Sequence, residues 1–212
     1  MRILVTGGAG YIGSVLVPHF LAVGHFVVVV DNFRYGQTSL LDVCHDERLR
    51  IIRGDVRDAK LMRREIGAAD AIFPLACLTG APLCDWYPEE ARAVNLEAIK
   101  FILAHRRPEQ KIIFPTTNSG YGVGEKDILC TEETPLRPVS LYGRLKVEAE
   151  QAVLAGGNAI TLRLATVFGI SPRMRLDLLV NDFVYRAARD RFIVLFEPHF
   201  KRNFAHLRDV SG

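Results

Sequence analysis

The chain begins with a short apolar run that leads into a cluster of glycines, and this arrangement limits its fold more than any other feature. Residues 3–5 are Ile-Leu-Val, and residues 6–13 read Thr-Gly-Gly-Ala-Gly-Tyr-Ile-Gly. Apolar residues then recur at three- and four-residue spacing as far as Val23, and Gly24 precedes a valine run that ends at Asp31. The pattern predicts a buried strand, a glycine turn, a helix and a second strand.

Each part of this unit suits a dinucleotide ligand. Gly8, Gly10 and Gly13 satisfy the pattern GxGxxG, and Asp31 follows Gly13 by 18 residues. Glycines let the backbone approach a pyrophosphate closely, and the helix that follows offers free amide donors and a partial positive charge. Asp31 is placed to accept hydrogen bonds from the adenosine ribose. The alternative interpretation is a tight turn with a capping aspartate.

The rest of the chain continues the alternation of strands and helices. Further strands are predicted at 49–53, 71–76, 111–114, 160–164 and 192–196, and the region 77–87 is interpreted as a loop. Helices are predicted from Pro88 to the residue before Pro108, over 140–154 and over 180–187, and the first helix is expected to bend at Pro18 but to persist. Such alternation predicts an α/β fold of the Rossmann type, a doubly wound parallel sheet with helices on both faces.

Ligands of such sheets bind at the carboxyl ends of the strands, and several segments of the chain are predicted to meet at that edge. They are the glycine turn 7–13, Asp31, Asp55, Ala76, Thr117 and Thr166. Asp55 is equally explained as an ordinary helix cap. Asn95 falls on the apolar face of its predicted helix, so it needs buried hydrogen-bond partners and serves either to join two elements or to orient a neighbouring side chain.

A second group of residues indicates proton chemistry. Tyr142 and Lys146 are four residues apart on a predicted helix and therefore lie on one face. A tyrosine has an ordinary pKa near ~10, so it acts as a base at neutral pH only where a cation such as Lys146 favours the phenolate. Thr117 can hydrogen-bond the same substrate oxygen. The alternative is a packed tyrosine beside a solvated lysine.

Composition excludes several other classes of protein. The formal charge is +3, from 27 basic and 24 acidic residues without a basic block, so neither nucleic acid nor an anionic membrane is indicated as a partner. The four cysteines lack metal-ligand spacing and are interpreted as reduced thiols of a cytoplasmic protein. We expect no signal peptide and no membrane anchor, because no apolar run approaches membrane-spanning length.

The motifs together identify a family. The chain resembles the extended short-chain dehydrogenase/reductase family, and within it the NAD-dependent nucleotide-sugar epimerases of the UDP-galactose 4-epimerase type. The matching segments are spread along the chain in the family's order: 6–14, 31–32, 54–58, 75–76, Asn95, 116–117, 121–122, 142–146 and 202–206.

The resemblance implies a function for individual residues. Tyr142, Lys146 and Thr117 would be catalytic. Residues expected to bind the cofactor NAD are Gly7, Gly10, Tyr11, Ile12, Gly13, Asp31, Asn32, Asp55, Val56, Leu75, Ala76, Thr79, Asn95, Thr116, Tyr142, Lys146 and Ala165. Residues expected to bind the substrate are Thr117, Asn118, Tyr142, Thr166 and Arg202, with Arg202 at the diphosphate. No metal site is expected.

Departures from the family pattern narrow the reaction. Related dehydratases and decarboxylases carry an acid directly after the catalytic threonine, where this chain has Asn118 and Ser119. We therefore expect 4-epimerisation by removal and return of a hydride at C4, or simple oxidation and reduction at C4. A non-catalytic NAD(P)-binding regulatory module is the alternative from another class. Thr79 and Thr166 also depart, since the epimerases often have lysine and asparagine there.

Cofactor choice, assembly and domains complete the expectations. Asp31 would repel the 2′-phosphate of NADP while Arg34 would attract it, and the placement of Asp31 at a strand end favours NAD. The resemblance implies a homodimer and a UDP- or dTDP-linked sugar substrate. Residues 1–170 are expected to form the NAD-binding domain, and 171–212 the start of a substrate-binding region whose larger part is lacking, so substrate binding would be weakened.

Overall fold

The computed structural model describes residues 1–123, 129–196, 198–199 and 202–212. The strands are β1 (Arg2–Thr6), β2 (Phe26–Asp31), β3 (Leu49–Arg53), β4 (Ala71–Pro74), β5 (Lys111–Thr117), β6 (Ala159–Leu164), β7 (Thr166–Phe168) and β8 (Phe204–His206). The helices are α1 (Gly13–Ala22), α2 (Ala59–Ala68), α3 (Ala81–Trp86), α4 (Pro88–Arg92), α5 (Ala98–His105), α6 (Leu141–Ala155), α7 (Leu179–Asp190) and α8 (Leu207–Ser211), and a π-helical turn, Ala93–Glu97, joins α4 to α5.

The first six strands form one parallel sheet in the order β3-β2-β1-β4-β5-β6. This order confirms the predicted Rossmann-type fold. The strand order reverses between β1 and β4, so the carboxyl ends of these two strands open a crevice. The glycine turn follows β1 directly and therefore lies in that crevice.

The alternation of side chains along β1 shows why the sheet is covered on both faces. Leu4 packs into a core with residues of α2, α5 and α6, whereas Ile3 and Val5 pack with Val17 and Leu21 of α1 on the opposite face. Successive side chains of a strand point to opposite faces, so a continuous apolar run requires cover on both. The first helix is continuous through Pro18, as expected.

Several expected elements differ from the observed ones. The expected loop 77–87 contains the helix α3, because Pro82 lies in the first helical turn, where its missing N–H is not needed. The expected strand at 192–196 is wrong: in the part of the chain that the structure describes, these residues pair with no strand, and Phe196 is 85% exposed. β5 extends through Pro115 to Thr117, three residues beyond the predicted strand end.

A second, two-stranded sheet was not predicted. β7 pairs in parallel with β8, with Thr166 opposite Phe204 and Phe168 opposite His206. Each strand has three residues, and the partners are far apart in the chain. Such short strands carry no periodic signal of their own, so only the tertiary fold defines them.

None of the helices in the described ranges is both long and apolar enough to cross a membrane. The four cysteines form no disulfide; Cys84 is buried, and Cys44 and Cys130 are exposed.

Candidate active site

A cavity of about 1030 Å³ opens at the carboxyl edge of the main sheet. Its size exceeds the usual range for small-molecule pockets, up to about 1000 Å³, which suits an extended ligand. Of the residues that the sequence singled out for catalysis or binding, all except Asn95 line it. The structure therefore brings the predicted site residues together from β1 to the segment before β8.

The glycine turn is shaped by close backbone packing. Gly7 has φ +68°, and a Cβ added to it would lie 2.6 Å from the backbone nitrogen of Ala76. A Cβ on Gly13 would lie 2.6 Å from the backbone of Gly8. A Cβ on Gly10 would meet only the carbonyl oxygen of Gly7, at 3.0 Å. The first two glycines are thus required by the fold, whereas Gly10 leaves room for a ligand to approach the turn.

Asp31 connects the end of β2 to the glycine turn. Its Oδ2 accepts a 3.0 Å hydrogen bond from the backbone N–H of Ala9, and its Oδ1 accepts one of 2.8 Å from Phe33. Gln37 donates to the same Oδ1 at 3.3 Å. Burial raises the pKa of this carboxyl group, and these hydrogen bonds partly oppose the rise. Asp31 therefore holds the turn as well as presenting a carboxylate to the cavity.

Charged side chains surround the same end of the cavity. Asp55 accepts hydrogen bonds from Arg57 Nε at 2.8 Å and Nη2 at 2.7 Å, and this guanidinium is the main reason that the pKa of Asp55 falls to about 2. Asn32 Nδ2 lies 3.5 Å from Asp55 Oδ2. On α4, Glu90 accepts a 2.8 Å hydrogen bond from Arg34. No local sequence pattern indicates Glu90, because its partner Arg34 lies on a loop that is distant in the sequence.

Two threonines at the end of β5 differ in their partners. Thr117 Oγ1 accepts a 3.1 Å hydrogen bond from the backbone N–H of Ser119 and caps the short helical turn Asn118–Tyr121. Thr116 is 5% exposed, and its hydroxyl has no hydrogen-bond partner among the described residues. A buried hydroxyl without a partner is costly. Thr116 lines the cavity, although its hydroxyl oxygen is itself enclosed, with almost no accessible surface.

Tyr142 and Lys146 both face the cavity from α6. Lys146 is 5% exposed; its Nζ donates a 2.7 Å hydrogen bond to the carbonyl oxygen of Pro115 and lies 3.9 Å from the ring centroid of Phe114. Burial lowers the pKa of Lys146. The alternative of a solvated lysine is therefore wrong.

The expected lowering of the tyrosine pKa is not observed. Burial raises the pKa of Tyr142 above its ordinary range, and the nearby thiols of Cys77 and Cys84 raise it further. Arg175 and the side chain of Thr117 act in the opposite direction but do not outweigh burial. Sequence reasoning missed Arg175, which lies in the segment between β7 and α7 and approaches Tyr142 only through the tertiary fold.

Arg175 is itself fixed by Asp177, which accepts hydrogen bonds from its Nε and Nη2. This guanidinium lowers the pKa of Asp177, so the carboxylate stays ionised. Both side chains line the cavity. The spacing Arg-x-Arg-x-Asp at 173–177 was the available sequence signal.

The residues proposed for the substrate lie at the other end of the cavity from Asp31 and Asp55 along the sheet edge. Thr166 begins β7, Arg202 lies just before β8, and both line the cavity. Asn118 Nδ2 donates a 2.7 Å hydrogen bond to Asn203 Oδ1, which joins the end of β5 to the segment that carries Arg202.

Asn95 lies outside the cavity lining and joins two backbone segments. Its Oδ1 accepts a 2.8 Å hydrogen bond from the N–H of Leu78, and its Nδ2 donates one of 2.9 Å to the carbonyl oxygen of the same residue. The side chain is 2% exposed. Asn95 therefore holds the segment after β4, of which Cys77, Leu78 and Thr79 line the cavity.

A further buried polar cluster anchors the start of α1, and its distant members were not predicted. The hydroxyl of Tyr11 donates a 2.7 Å hydrogen bond to the carbonyl oxygen of Gly169, and Asn181 Nδ2 donates to that hydroxyl at 3.2 Å. Ser171 Oγ donates to the backbone oxygen of Tyr11 at 2.7 Å and lies 2.9 Å from Ser14 Oγ. The glycine turn is thus held from both sides, by Asp31 and by residues 169–181.

A dinucleotide fits this donor set. Gly10, with open space beside it, and Asp31, with its carboxylate, line one cavity, and so does Thr116, whose buried hydroxyl has no partner among the described residues. At the start of α1, the backbone N–H groups of Tyr11, Ile12 and Gly13 donate to no group in the described part of the chain and are available to a pyrophosphate, whereas those of Ser14, Val15 and Leu16 donate to Gly10 and Ile12.

The sequence profile of the NAD dependent epimerase/dehydratase family matches residues 3–211. A UDP-glucose 4-epimerase from Corynebacterium glutamicum is 31% identical over 181 residues, which cover 80% of this chain and 52% of that protein. The chain spans about half the length of several curated relatives that it matches.

Two solved structures of epimerases match the fold of this chain over its whole length. A UDP-glucose 4-epimerase from Thermotoga maritima with UDP-glucose matches with a TM-score of 0.87 and 25% identity over 100% of this chain and 71% of that one. A UDP-glucuronic acid 4-epimerase from Bacillus cereus, in complex with UDP-glucuronic acid and NAD, matches with a TM-score of 0.83 and 26% identity over 100% and 71%.

Proposed function

The chain belongs to the NAD-dependent epimerase/dehydratase family, and within it we propose that this chain is the NAD-binding part of a nucleotide-sugar 4-epimerase. One observation carries the proposal: Thr117, Tyr142 and Lys146 line the same cavity as the glycine turn. A tyrosine, a lysine and a hydroxyl at the mouth of a dinucleotide site are the groups that alcohol oxidation needs, whereas a binding module needs none of them.

The residues of the glycine turn and the strand ends hold the cofactor. The backbone N–H groups of Tyr11, Ile12 and Gly13 would face the pyrophosphate, Asp31 would accept hydrogen bonds from the adenosine ribose, and Asp55 and Val56 would flank the adenine. When bound, NAD would supply the hydride acceptor and donor that epimerisation at C4 of the sugar requires.

Tyr142 moves the proton. Its phenolic oxygen accepts the proton of the C4 hydroxyl, Thr117 hydrogen-bonds the same oxygen, and Tyr142 gives the proton back when the hydride returns. Since burial raises the pKa of this phenol, the base requires cations nearby. Arg175 is one, and we assign the same role to Lys146, one turn along α6.

The carboxylates of the site favour epimerisation over elimination. Elimination needs a general acid, which the related dehydratases carry directly after the catalytic threonine, whereas Asn118 and Ser119 follow Thr117 here. Asp177 lines the cavity, but Arg175 keeps it ionised, so it has no proton to donate. We therefore favour a reaction without net redox change and without loss of water.

We propose a UDP- or dTDP-linked sugar as the substrate. Arg202 and Thr166 line the cavity and supply a cation and a hydroxyl for a diphosphate. On this assignment residues 171–212 begin a substrate-binding region, while residues 1–170 form the cofactor domain. UDP-sugars in the complexes of the two structural relatives support this choice.

Denaturing the purified chain and identifying the released nucleotide by mass spectrometry tests the cofactor. Incubation with UDP-glucose and NAD+, followed by chromatography of the sugar products, tests the reaction; a 4-epimerase forms UDP-galactose without net NADH. Tyr142→Phe should reduce turnover about 10³-fold, and Tyr185→Phe, on the exposed surface of α7, serves as its control.

Two results would replace the proposal. Net production or consumption of NADH with a nucleotide sugar would favour a C4 reductase or dehydrogenase. If Tyr142→Phe and the wild type behave alike with every sugar tried while both bind NAD, a regulatory binding module becomes the better assignment.

We also propose a homodimer that forms through the helices over 89–105 and 141–154. Lys100 of α5 and Glu148 of α6 form a 2.9 Å ion pair across this face, which aligns the two helices side by side. Analytical ultracentrifugation at micromolar concentration tests the assembly, and a monomer mass would contradict it.

A further inference from the structure

The loop after β2 carries Arg34, and the structure holds this arginine in an ion pair with Glu90 of α4. Arg34 Nη1 lies 2.8 Å from Glu90 Oε2, and the two side chains are 31% and 24% exposed. The guanidinium also lies over the ring of Tyr87, 5.5 Å from its centroid. Arg34 and Glu90 both line the cavity at the end where Asp31 lies.

A second guanidinium nearby is engaged elsewhere. Arg57 makes two hydrogen bonds to Asp55, at 2.8 and 2.7 Å, and reaches Glu90 only at 3.6 Å. Two parallel hydrogen bonds to one carboxylate fix both the position and the direction of a guanidinium. Loss of the Glu90 carboxylate would therefore release Arg34 and leave Arg57 where it is.

The position of Arg34 matters for the choice between NAD and NADP, which differ at the 2′-position of the adenosine ribose. A carboxylate at the end of the second strand accepts a hydrogen bond from the 2′-hydroxyl, whereas a nearby arginine accommodates a 2′-phosphate. Arg34 follows Asp31 by three residues, on the loop beside that ribose. While Glu90 neutralises Arg34, a 2′-phosphate meets the charge of Asp31 without Arg34 to compensate it.

We propose that Glu90 is a specificity-determining residue, which favours NAD over NADP by keeping Arg34 in an ion pair. The inference depends on the proposed use of a nicotinamide dinucleotide. It assigns specificity to a residue of α4, remote in sequence from the carboxylate of Asp31. Asp31 and Glu90 both act on the 2′-phosphate of the ligand: Asp31 repels it, and Glu90 keeps Arg34 from pairing with it.

The test is a binding cycle that needs no turnover. Dissociation constants of NAD+ and NADP+ are measured by isothermal titration calorimetry on chain freed of bound nucleotide. Glu90→Gln should improve NADP+ binding relative to NAD+ by about tenfold. The double variant Arg34→Gln/Glu90→Gln should lose this gain, and Arg34→Gln alone should leave the ratio at the wild-type value.

Glu89→Gln is the matched control, because Glu89 is the exposed neighbour on the same turn and its loss changes the net charge equally. It should leave the ratio unchanged. AMP and adenosine 2′,5′-bisphosphate provide a second probe pair that isolates the adenosine end, and the same order of affinities is expected.

An unchanged ratio in Glu90→Gln, or a gain that persists in the double variant, would overturn the inference while NAD binding stands. An equal change of the NADP+/NAD+ binding ratio in Glu89→Gln would show that the effect is one of general charge, and would overturn the inference as well. Failure of the wild type to bind either dinucleotide would overturn it together with the cofactor assignment. Absence of epimerase turnover with both NAD+ and the UDP-sugar bound would contradict the proposed function alone.

Discussion

Lys146 of α6 donates a 2.7 Å hydrogen bond from its Nζ to the carbonyl oxygen of Pro115 in β5. This bond fixes a buried ammonium group on the face of α6 that carries Tyr142. The ring of Phe114 lies below the same ammonium, 3.9 Å away at its centroid. Residues of β5 thus hold the ammonium group of Lys146 in place, and no contact with solvent is needed to fix its position.

Lys146→Met should separate activity from stability. Burial lowers the pKa of Lys146, so its folded-state pKa lies below the unfolded value, and the charged form is the one that folding penalises. This penalty is fully present below the folded pKa and disappears as the pH rises above the unfolded pKa. At pH 7 the free energy of unfolding of the methionine variant should therefore equal or exceed that of the wild type. Its epimerase turnover should fall about 10²-fold.

Urea unfolding at pH 7 and turnover over a range of pH measure the two effects. Lys60→Met, on the exposed surface of α2 and away from the proposed dimer surface, is the control and should change neither by much, since substitutions at such surface positions contribute little. A large loss of stability in Lys146→Met would show that the ammonium group is structural.

Gly7→Ala should destabilise the chain through a collision with the backbone that follows β4. Gly7 has φ +68°, and an added Cβ would lie 2.6 Å from the backbone nitrogen of Ala76. Gly157 has the same φ, +68°, with nothing within 4 Å of an added Cβ. Both alanines meet the strain of the left-handed region, about 1–2 kcal/mol, so the difference between them isolates the collision.

We expect Gly7→Ala to cost roughly 2 kcal/mol more than Gly157→Ala in the free energy of unfolding, measured by urea titration of the two variants in parallel. Equal losses of unfolding free energy in the two variants would mean that the glycine turn can move away from the segment after β4. The close approach of Gly7 to Ala76 would then not be a requirement of the fold.

The sequence predicts those parts of the site that are encoded locally. The strand, turn and helix from β1 to α1 are read from adjacent residues, and the positions of Tyr142 and Lys146 follow from one helical turn. The partners of these groups could not be predicted, because they come from distant segments: Pro115 for Lys146 and Arg175 for Tyr142. Their contacts depend on the order of strands in the sheet, which no local pattern states.

The direction of the pKa shift of Tyr142 could not be predicted from local sequence either. Spacing alone indicates that a lysine is near a tyrosine, but the net direction of the pKa depends on how deeply the phenol is buried. Burial is a property of the assembled core, to which α3, the segment after β4 and residues 169–178 all contribute. The expected strand at 192–196 failed for the related reason that an apolar run indicates burial only where the fold supplies cover.

Asp55→Asn should reduce stability at neutral pH but not in strong acid. Arg57 lowers the pKa of Asp55 from 3.8 to about 2, so folding favours the ionised carboxylate. This contribution is fully present above the unfolded pKa, near ~3.9, and is lost as the pH falls through the folded value. The difference in unfolding free energy between wild type and variant should therefore shrink as the pH falls from about 4 to about 2.

Urea titrations at several pH values, on chain freed of nucleotide, measure this difference. Arg57→Gln removes the cause of the shift, so it should reproduce the loss at pH 7, and the double variant should be little worse than either single variant. A difference between wild type and Asp55→Asn that stays constant down to pH 2 would contradict the assignment.

Thr116→Val should stabilise the cofactor-free chain and weaken its cofactor complex. The hydroxyl of Thr116 is buried and has no partner among the described residues, so an apolar group of the same shape removes an unsatisfied donor and acceptor. The free energy of unfolding should rise by about 1 kcal/mol. Thr116 lines the cavity that we assign to NAD, and we expect the bound ligand to supply the partner that its hydroxyl lacks. On this expectation the same change should raise the dissociation constant of NAD+ about fivefold or more.

Thr117→Val is the matched comparison on the next residue of β5. Its hydroxyl accepts a hydrogen bond from Ser119 N, so the valine variant should lose stability where Thr116→Val gains it. Urea unfolding with and without NAD+ distinguishes the two. If Thr116→Val gains stability but binds NAD+ as tightly as the wild type, the hydroxyl does not contact the cofactor, and the unpartnered group would need an ordered water molecule as its partner. Opposite signs in the two states would instead identify Thr116 as a group whose hydrogen bonding is completed only by the ligand.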